Sequence, residues 1–151
     1  MAIVTGGASE AGRDVARGLA SPAWALVVVY LQHQSTAEAT VADIIAAEGT
    51  TVAVRADLAD ELDVQRLFTE SIAAFGGVDV VAHTTTESAA LLYRHAVRHV
   101  RPSGVLIITS AAQRIPPGIA RQLRERGITV GRAPPEAVIS FLDRWRRRPI
   151  G

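Results

Sequence analysis

An apolar strand that runs straight into a glycine turn and then a helix, Ala2-Ile3-Val4-Thr5-Gly6-Gly7-Ala8-Ser9-Glu10-Ala11-Gly12-Arg13, constrains this chain more than any other stretch. At such a junction glycines permit a tight bend, free backbone amides collect at the helix start, and the helix dipole favours an anion in front of them. The segment therefore reads as a cradle for a nucleotide phosphate, built from Gly6, Ser9, Glu10, Ala11 and Gly12.

Downstream, short β-branched runs alternate with helical stretches. The candidate strands are Ala2–Thr5, Leu26–Tyr30, Thr51–Arg55, Val78–His83, Val105–Thr109 and Ile128–Val130. The candidate helices are Gly12–Ala20, Thr36–Glu48, Glu61–Phe75, Ser88–Val100, Gly118–Arg126 and a last one over Pro135–Arg146. Strand then helix, repeated, predicts parallel βαβ units with right-handed crossovers. The expected fold class is α/β, a Rossmann-like doubly wound parallel sheet of about six strands, in one domain spanning residues 1–151. Asp60 ahead of Glu61 and Asp63 puts carboxylates where free amides favour them. Gly49, Gly76-Gly77 and Gly127 stand as helix stops. Ala39, Ala42, Ile45 and Ala46 share one side of the second helix and predict the face it turns to the sheet.

Composition narrows the function classes. A chain with no Cys has no disulfide, thiolate metal site or cysteine nucleophile. No apolar run approaches the roughly 20 residues of a membrane helix, and no basic-then-apolar leader opens the chain. The expectation is therefore a cytoplasmic protein with no membrane partner. A net charge of +1 argues against a nucleic-acid partner. The dense basic run Arg144-Trp145-Arg146-Arg147-Arg148 reads as a solvated helix end, with a docking site for an acidic partner or nucleic acid as the other reading.

Three motifs in order carry a resemblance: Thr5-Gly6-Gly7 through Gly12, then Ala56-Asp57-Leu58 after the third strand, then Phe75-Gly76-Gly77-Val78-Asp79-Val80-Val81 leading into the fourth. On these the chain resembles the short-chain dehydrogenase/reductase family from Thr5 to about Thr86, and more weakly beyond. The resemblance implies a nicotinamide cofactor, with Asp57 near the adenine and Leu58 beside it. Asp57 has a second reading, as a strand-ending residue that bonds nearby backbone. The middle glycine of the family's turn is here Glu10. A carboxylate a few ångströms from a pyrophosphate repels it by about 1 kcal/mol per charge pair in a water-like dielectric. Two readings of Glu10 stand: a solvent-facing residue that caps free amides, or an internal anion filling the phosphate site. The second strand ends in Tyr30-Leu31-Gln32-His33 without an acid for ribose hydroxyls, which points to NADP, with NAD or no cofactor as the alternatives.

The family's chemistry uses a Tyr, a Lys four residues later, a Ser and often an Asn. This sequence contains neither Lys nor Asn, and Tyr30 and Tyr93 both precede the serine-bearing strand. Ser110 is the one survivor of that set, and its other reading is a strand-ending hydroxyl. The family's Asn-Asn-Ala-Gly is replaced by His83-Thr84-Thr85-Thr86, where His83 could donate a proton or be a hydrogen-bonded neighbour. Ser110 and His83 are thus the catalytic candidates. His95 and His99, four apart among arginines, read as part of a basic, partly exposed helix rather than as metal ligands. The segments after the fourth and fifth strands are short against the family pattern, and the sequence stops at Pro149-Ile150-Gly151 without a last strand or substrate loop. The resemblance implies an oxidoreductase of small carbonyl substrates stripped of its Tyr/Lys pair. The alternative is a non-catalytic nucleotide-binding or interaction subunit that pairs with itself or with a full-length homologue.

Overall fold

The computed structural model describes residues 1–87 and 89–147. It contains one six-stranded sheet: β1 (Ala2–Val4), β2 (Ala25–Tyr30), β3 (Thr50–Arg55), β4 (Val78–His83), β5 (Val100–Ile108) and β6 (Thr129–Arg132). The helices are α1 (Glu10–Leu19), α2 (Gln34–Ala46), α3 (Glu61–Phe75), α4 (Ala90–His99), α5 (Pro117–Glu125) and α6 (Val138–Arg146), the last preceded by a 3₁₀ turn over Pro135–Ala137. The strand order is β3-β2-β1-β4-β5-β6 and every pairing is parallel. Such an order reverses between β1 and β4, so a crevice opens there at the carboxyl ends of the strands.

Because helices cover both sheet faces, the central strands are apolar on both sides. Ile3, Val27, Val29, Val81 and Leu106 pack under α3, α4 and α5. Ala2, Val4, Leu26, Val28 and Val80 pack under α1, α2 and α6. The expected α/β doubly wound architecture is what the chain adopts. Asp60 caps α3 as its spacing predicts, its carboxylate accepting from the amides of Leu62 and Asp63 at 2.9 and 3.1 Å. Among the described residues no helix is long and apolar enough to cross a membrane.

Several local expectations are corrected. Ala39, Ala42, Ile45 and Ala46 face outward, with Ile45 57% exposed, and α2 buries Ala37, Thr40 and Ile44 instead. The hydroxyl of Thr40 donates to the Gly7 carbonyl at 3.0 Å, which satisfies a buried polar group and fixes the helix rotation. At the end of α2 the left-handed residue is Glu48, at φ 62°, and the Gly49 amide closes the cap on the Ile44 carbonyl at 2.9 Å. β5 begins at Val100, where a helix end is expected, because Val100 pairs with Val78 ahead of an irregularity in register. The Arg146 guanidinium lies over the Trp24 ring at 4.1 Å from its centroid, so the basic run is not simply solvated. Ser88, Arg148 and Pro149-Ile150-Gly151 lie outside the described residues.

Candidate functional site

Thr5 follows β1, and its buried hydroxyl accepts from the Thr84 amide at 3.2 Å and lies 2.8 Å from His83 Nδ1. The Thr84 hydroxyl answers by donating to the Thr5 carbonyl at 2.7 Å. These bonds lash the glycine turn to the segment after β4. Gly6 then turns at φ +68°, and a Cβ there would stand 2.5 Å from Thr84 Oγ1 and 2.6 Å from Thr85 Cγ2. Ser9 caps α1: its hydroxyl donates to the Gly6 carbonyl at 2.7 Å and accepts from the Gly12 amide at 3.1 Å. A Cβ on Gly12 would fall 1.9 Å from that same carbonyl oxygen. The turn is therefore drawn tight, with the first α1 amides, Glu10 and Ala11, lacking intrahelical acceptors.

A cleft of about 390 Å³ opens at this turn, lined by Gly6 and Ser9, by Tyr30 to His33 after β2, by Ala56 and Leu58 after β3, and by Thr85 and Glu87 after β4. Its size lies in the range of small-molecule sites. Thr85 Oγ1 is buried without a hydrogen-bond partner in this wall. Free helix-start amides and a turn in which side chains would clash let an anion approach closely, and a nucleotide phosphate fits there.

Of the cradle residues read from sequence, Gly6 and Ser9 line the cleft, while Gly12 shapes it from behind. Glu10 is exposed on the first turn of α1 and outside the lining. Glu10 faces solvent, as its first reading has it, but the cap on the α1 amides is made by Ser9. Ala11 is half-buried and offers its amide alone. Leu58 lines the cleft. Asp57 does not; its carboxylate accepts from the Ala59 amide at 2.9 Å, the turn-forming reading of this residue.

Neither catalytic candidate lines the cleft, although His83 bonds to two residues that do, Thr5 and Glu87. Ser110 follows β5, where its hydroxyl accepts from the Ala112 amide at 3.3 Å. His83 is fully buried. Its Nε2 lies 3.2 Å from the Glu87 carbonyl, which can only accept, so Nε2 carries the proton and Nδ1 accepts from Thr5. Burial pushes the imidazole below its ordinary pKa, opposed by the bond to Glu87. Both ring nitrogens are thus engaged, as the hydrogen-bonded reading of this residue has it. Gln113 also donates to the Glu87 carbonyl. The Tyr93 hydroxyl in turn donates to Gln113 Oε1 at 3.1 Å, and burial pushes that phenol up to about 12 against the pull of Arg132.

Thr5, Thr85, Glu87 and Gln113 complete this region although none is a sequence-derived candidate. Thr5 lies within the glycine-turn motif and Thr85 within the stretch His83-Thr84-Thr85-Thr86; nothing in the pattern marks Glu87 or Gln113. α4 is partly exposed, with Arg94 and Arg98 outward, as expected; His95 lies on its buried side, its Nε2 2.7 Å from Glu61 and its ring stacked with His99. Among the described residues no group of three or more potential metal ligands converges.

With this geometry in hand, comparison with known proteins is informative. The family model described as short chain dehydrogenase matches residues 1–97. A 3-oxoacyl-[acyl-carrier-protein] reductase of Synechocystis is 31% identical over 122 residues, covering 76% of this chain and 49% of that protein. An uncharacterized oxidoreductase of Methylorubrum extorquens is 30% identical over 121 residues, with the same coverage. The chain thus spans about half the length of the curated relatives it matches. Among solved structures, a short-chain dehydrogenase/reductase from Serratia marcescens superposes with a TM-score of 0.71 at 25% identity over 87% of this chain and 71% of that one. A dehydrogenase from Burkholderia cenocepacia with bound NADP gives 0.72 at 23% identity over 87% and 66%.

Proposed function

Because the chain belongs to the short-chain dehydrogenase family, we propose that it binds a nicotinamide dinucleotide, NADP ahead of NAD, without carrying the Tyr/Lys pair of carbonyl reduction. The observation that supports this most is the glycine turn, where Gly6 brings backbone to the cleft wall and Gly12 packs directly behind it, neither with room for a side chain. When bound, the cofactor would supply a hydride. The amides of Glu10 and Ala11 and the Ser9 hydroxyl would hold its phosphates. Ala56 and Leu58 offer the apolar wall for an adenine, and the acid-free stretch Tyr30 to His33 leaves room for a 2′-phosphate. The NADP bound in the Burkholderia dehydrogenase supports the same choice.

The sequence has no Lys, and its tyrosines are Tyr30 in the cleft wall and Tyr93 in the core. A phenol at about 12 with its proton committed to Gln113 is no acid for a substrate at neutral pH. That favours a second reading, a nucleotide-binding or interaction subunit, over a self-sufficient reductase of small carbonyl compounds.

Calorimetric titration with NADP, NADPH, NAD and NADH, followed by turnover with a ketone panel, tests this. Binding of NADPH without multiple turnover is expected. No binding of any nucleotide removes the cofactor reading; steady ketone reduction removes the reading of a non-catalytic subunit.

A further inference from the structure

A second concavity, between α5 and β6, has a chemistry that the glycine-turn cleft lacks. It encloses about 630 Å³ and shares no residue with that cleft. Ile115, Ala120, Ile128 and Val130 give it an apolar floor, and Arg124 and Arg132 stand in its wall. No residue that lines it is acidic, and among the described residues neither arginine forms an ion pair. The glycine-turn cleft is the reverse case, with Glu87 in its wall and no arginine.

The sequence builds this groove from two elements. α5 buries Leu123 and sets Ala120 and Arg124, one turn apart, on the side toward β6, so the small alanine leaves space where a larger residue would fill it. β6 is the last strand of the sheet and pairs with β5 alone. Its alternation puts Val130 and Arg132 on one face, and Val130 packs against the core beneath α5. Arg132 is therefore aimed to the same side. Nη1 of Arg132 donates to the Gln113 carbonyl at 2.8 Å, which fixes the guanidinium in the wall and leaves the rest of its donor fork for another acceptor.

A ligand that carries charge alone would leave the floor wet, and a neutral apolar one would leave the guanidiniums unmatched. An apolar body joined to a carboxylate meets both demands: the floor sheds water onto the body, and a guanidinium gives two parallel hydrogen bonds to a carboxylate. The four residues of β6 run for about 10 Å along the groove, the length of a medium alkyl chain. We infer that this groove binds a carboxylic acid with a chain-like apolar body, its carboxylate on Arg132 and its chain along Val130, Ala120 and Ile115 toward Arg124. The inference does not depend on nucleotide binding.

Calorimetric titration of the whole chain with sodium octanoate, octanol and sodium acetate tests it, beside amide chemical-shift mapping of the octanoate complex. Octanoate is expected to bind once per chain and to shift the amides of Ala120, Arg124, Val130 and Arg132. Octanol and acetate, each with half of the matching chemistry, should bind about tenfold more weakly or worse. Arg132→Met should weaken octanoate about tenfold while leaving octanol unchanged, and Ala120→Leu should weaken both, with folding checked by thermal melts. Arg124→Met, at an exposed position outside the bond to Gln113, repeats the charge test, with a loss of about two- to fivefold that fades as salt rises. Acetate as tight as octanoate would reduce the groove to an adventitious anion site and overturn the proposal. So would octanol as tight as octanoate, affinity indifferent to these variants, shifts centred on Gly6 to Gly12, or no binding of octanoate.

Discussion

Replacing His83 with Gln separates the two things this buried ring does: it joins β1 to the segment after β4, and it ties protein stability to pH. The wild-type ring donates to the Glu87 carbonyl and accepts from Thr5. Gln retains one donor and one acceptor but not their placement, and each buried group left unpaired costs about 1–3 kcal/mol. A loss of about 2–3 kcal/mol at pH 7.5 is expected, or roughly 4–12 °C in Tm for a chain of this size. The pH dependence follows from the direction of the shift. Burial lowers the folded-state pKa of His83 below 6.5, so the unfolded chain binds the proton more readily. The stability this ring contributes is complete above about pH 6.5 and is lost as the pH falls toward the folded-state value. Between about pH 7.5 and 5.5, a ring kept neutral in the native state forfeits at most about 1.4 kcal/mol. Urea unfolding at the two pH values should show that loss in wild type and a loss smaller by up to that amount in His83→Gln. The same fall with pH in both proteins would refute the assignment to His83, and His99, also lowered by burial and by His95 and Arg98, would then be the group to test.

Three further outcomes are expected. Gly12→Ala places a Cβ 1.9 Å from the Gly6 carbonyl, so the turn must open; a destabilisation of about 1–3 kcal/mol in thermal melts and loss of measurable NADPH binding by calorimetry should accompany each other. Glu10→Gln removes an exposed negative charge from the helix start that faces the proposed phosphates, and NADPH should bind up to about fivefold more tightly at low salt, the gain fading as salt rises. Tyr93→Phe leaves Gln113 Oε1 without its donor at a cost of about 1–2 kcal/mol, and it should remove from the ultraviolet titration the phenol that ionises near 12.

Much of the sheet was legible because its chemistry is local. Leu26 to Val29 and Val80 to Ala82 must be buried on two faces, which leaves an unbroken apolar run, and Asp60 caps a helix from within its own turn. The rotation of α2 was not legible. Its alanines carry so little hydrophobic weight that they specify no face, and the decision falls to Thr40, whose partner Gly7 is 33 residues away. The same holds at the site. Glycine spacing revealed where backbone approaches the cleft, but the meeting of His83 and Gln113 on the Glu87 carbonyl joins residues 4 and 26 apart through a main-chain atom. No periodicity encodes a carbonyl, so His83 reads in sequence as a free imidazole and in the fold as a fastening.

The sheet ends on two unlike borders. On one side β6 is four residues long, ends in the charged Arg132, and is followed one residue on by Pro134 and Pro135, so it offers a stray strand little backbone to zip onto. On the other, β3 offers six residues, with no proline, Val52 39% exposed and its one charge held back to Arg55. Misassembly of crowded or half-folded molecules is therefore directed to the β3 margin, and a lysine in place of Val52 is the natural guard against it.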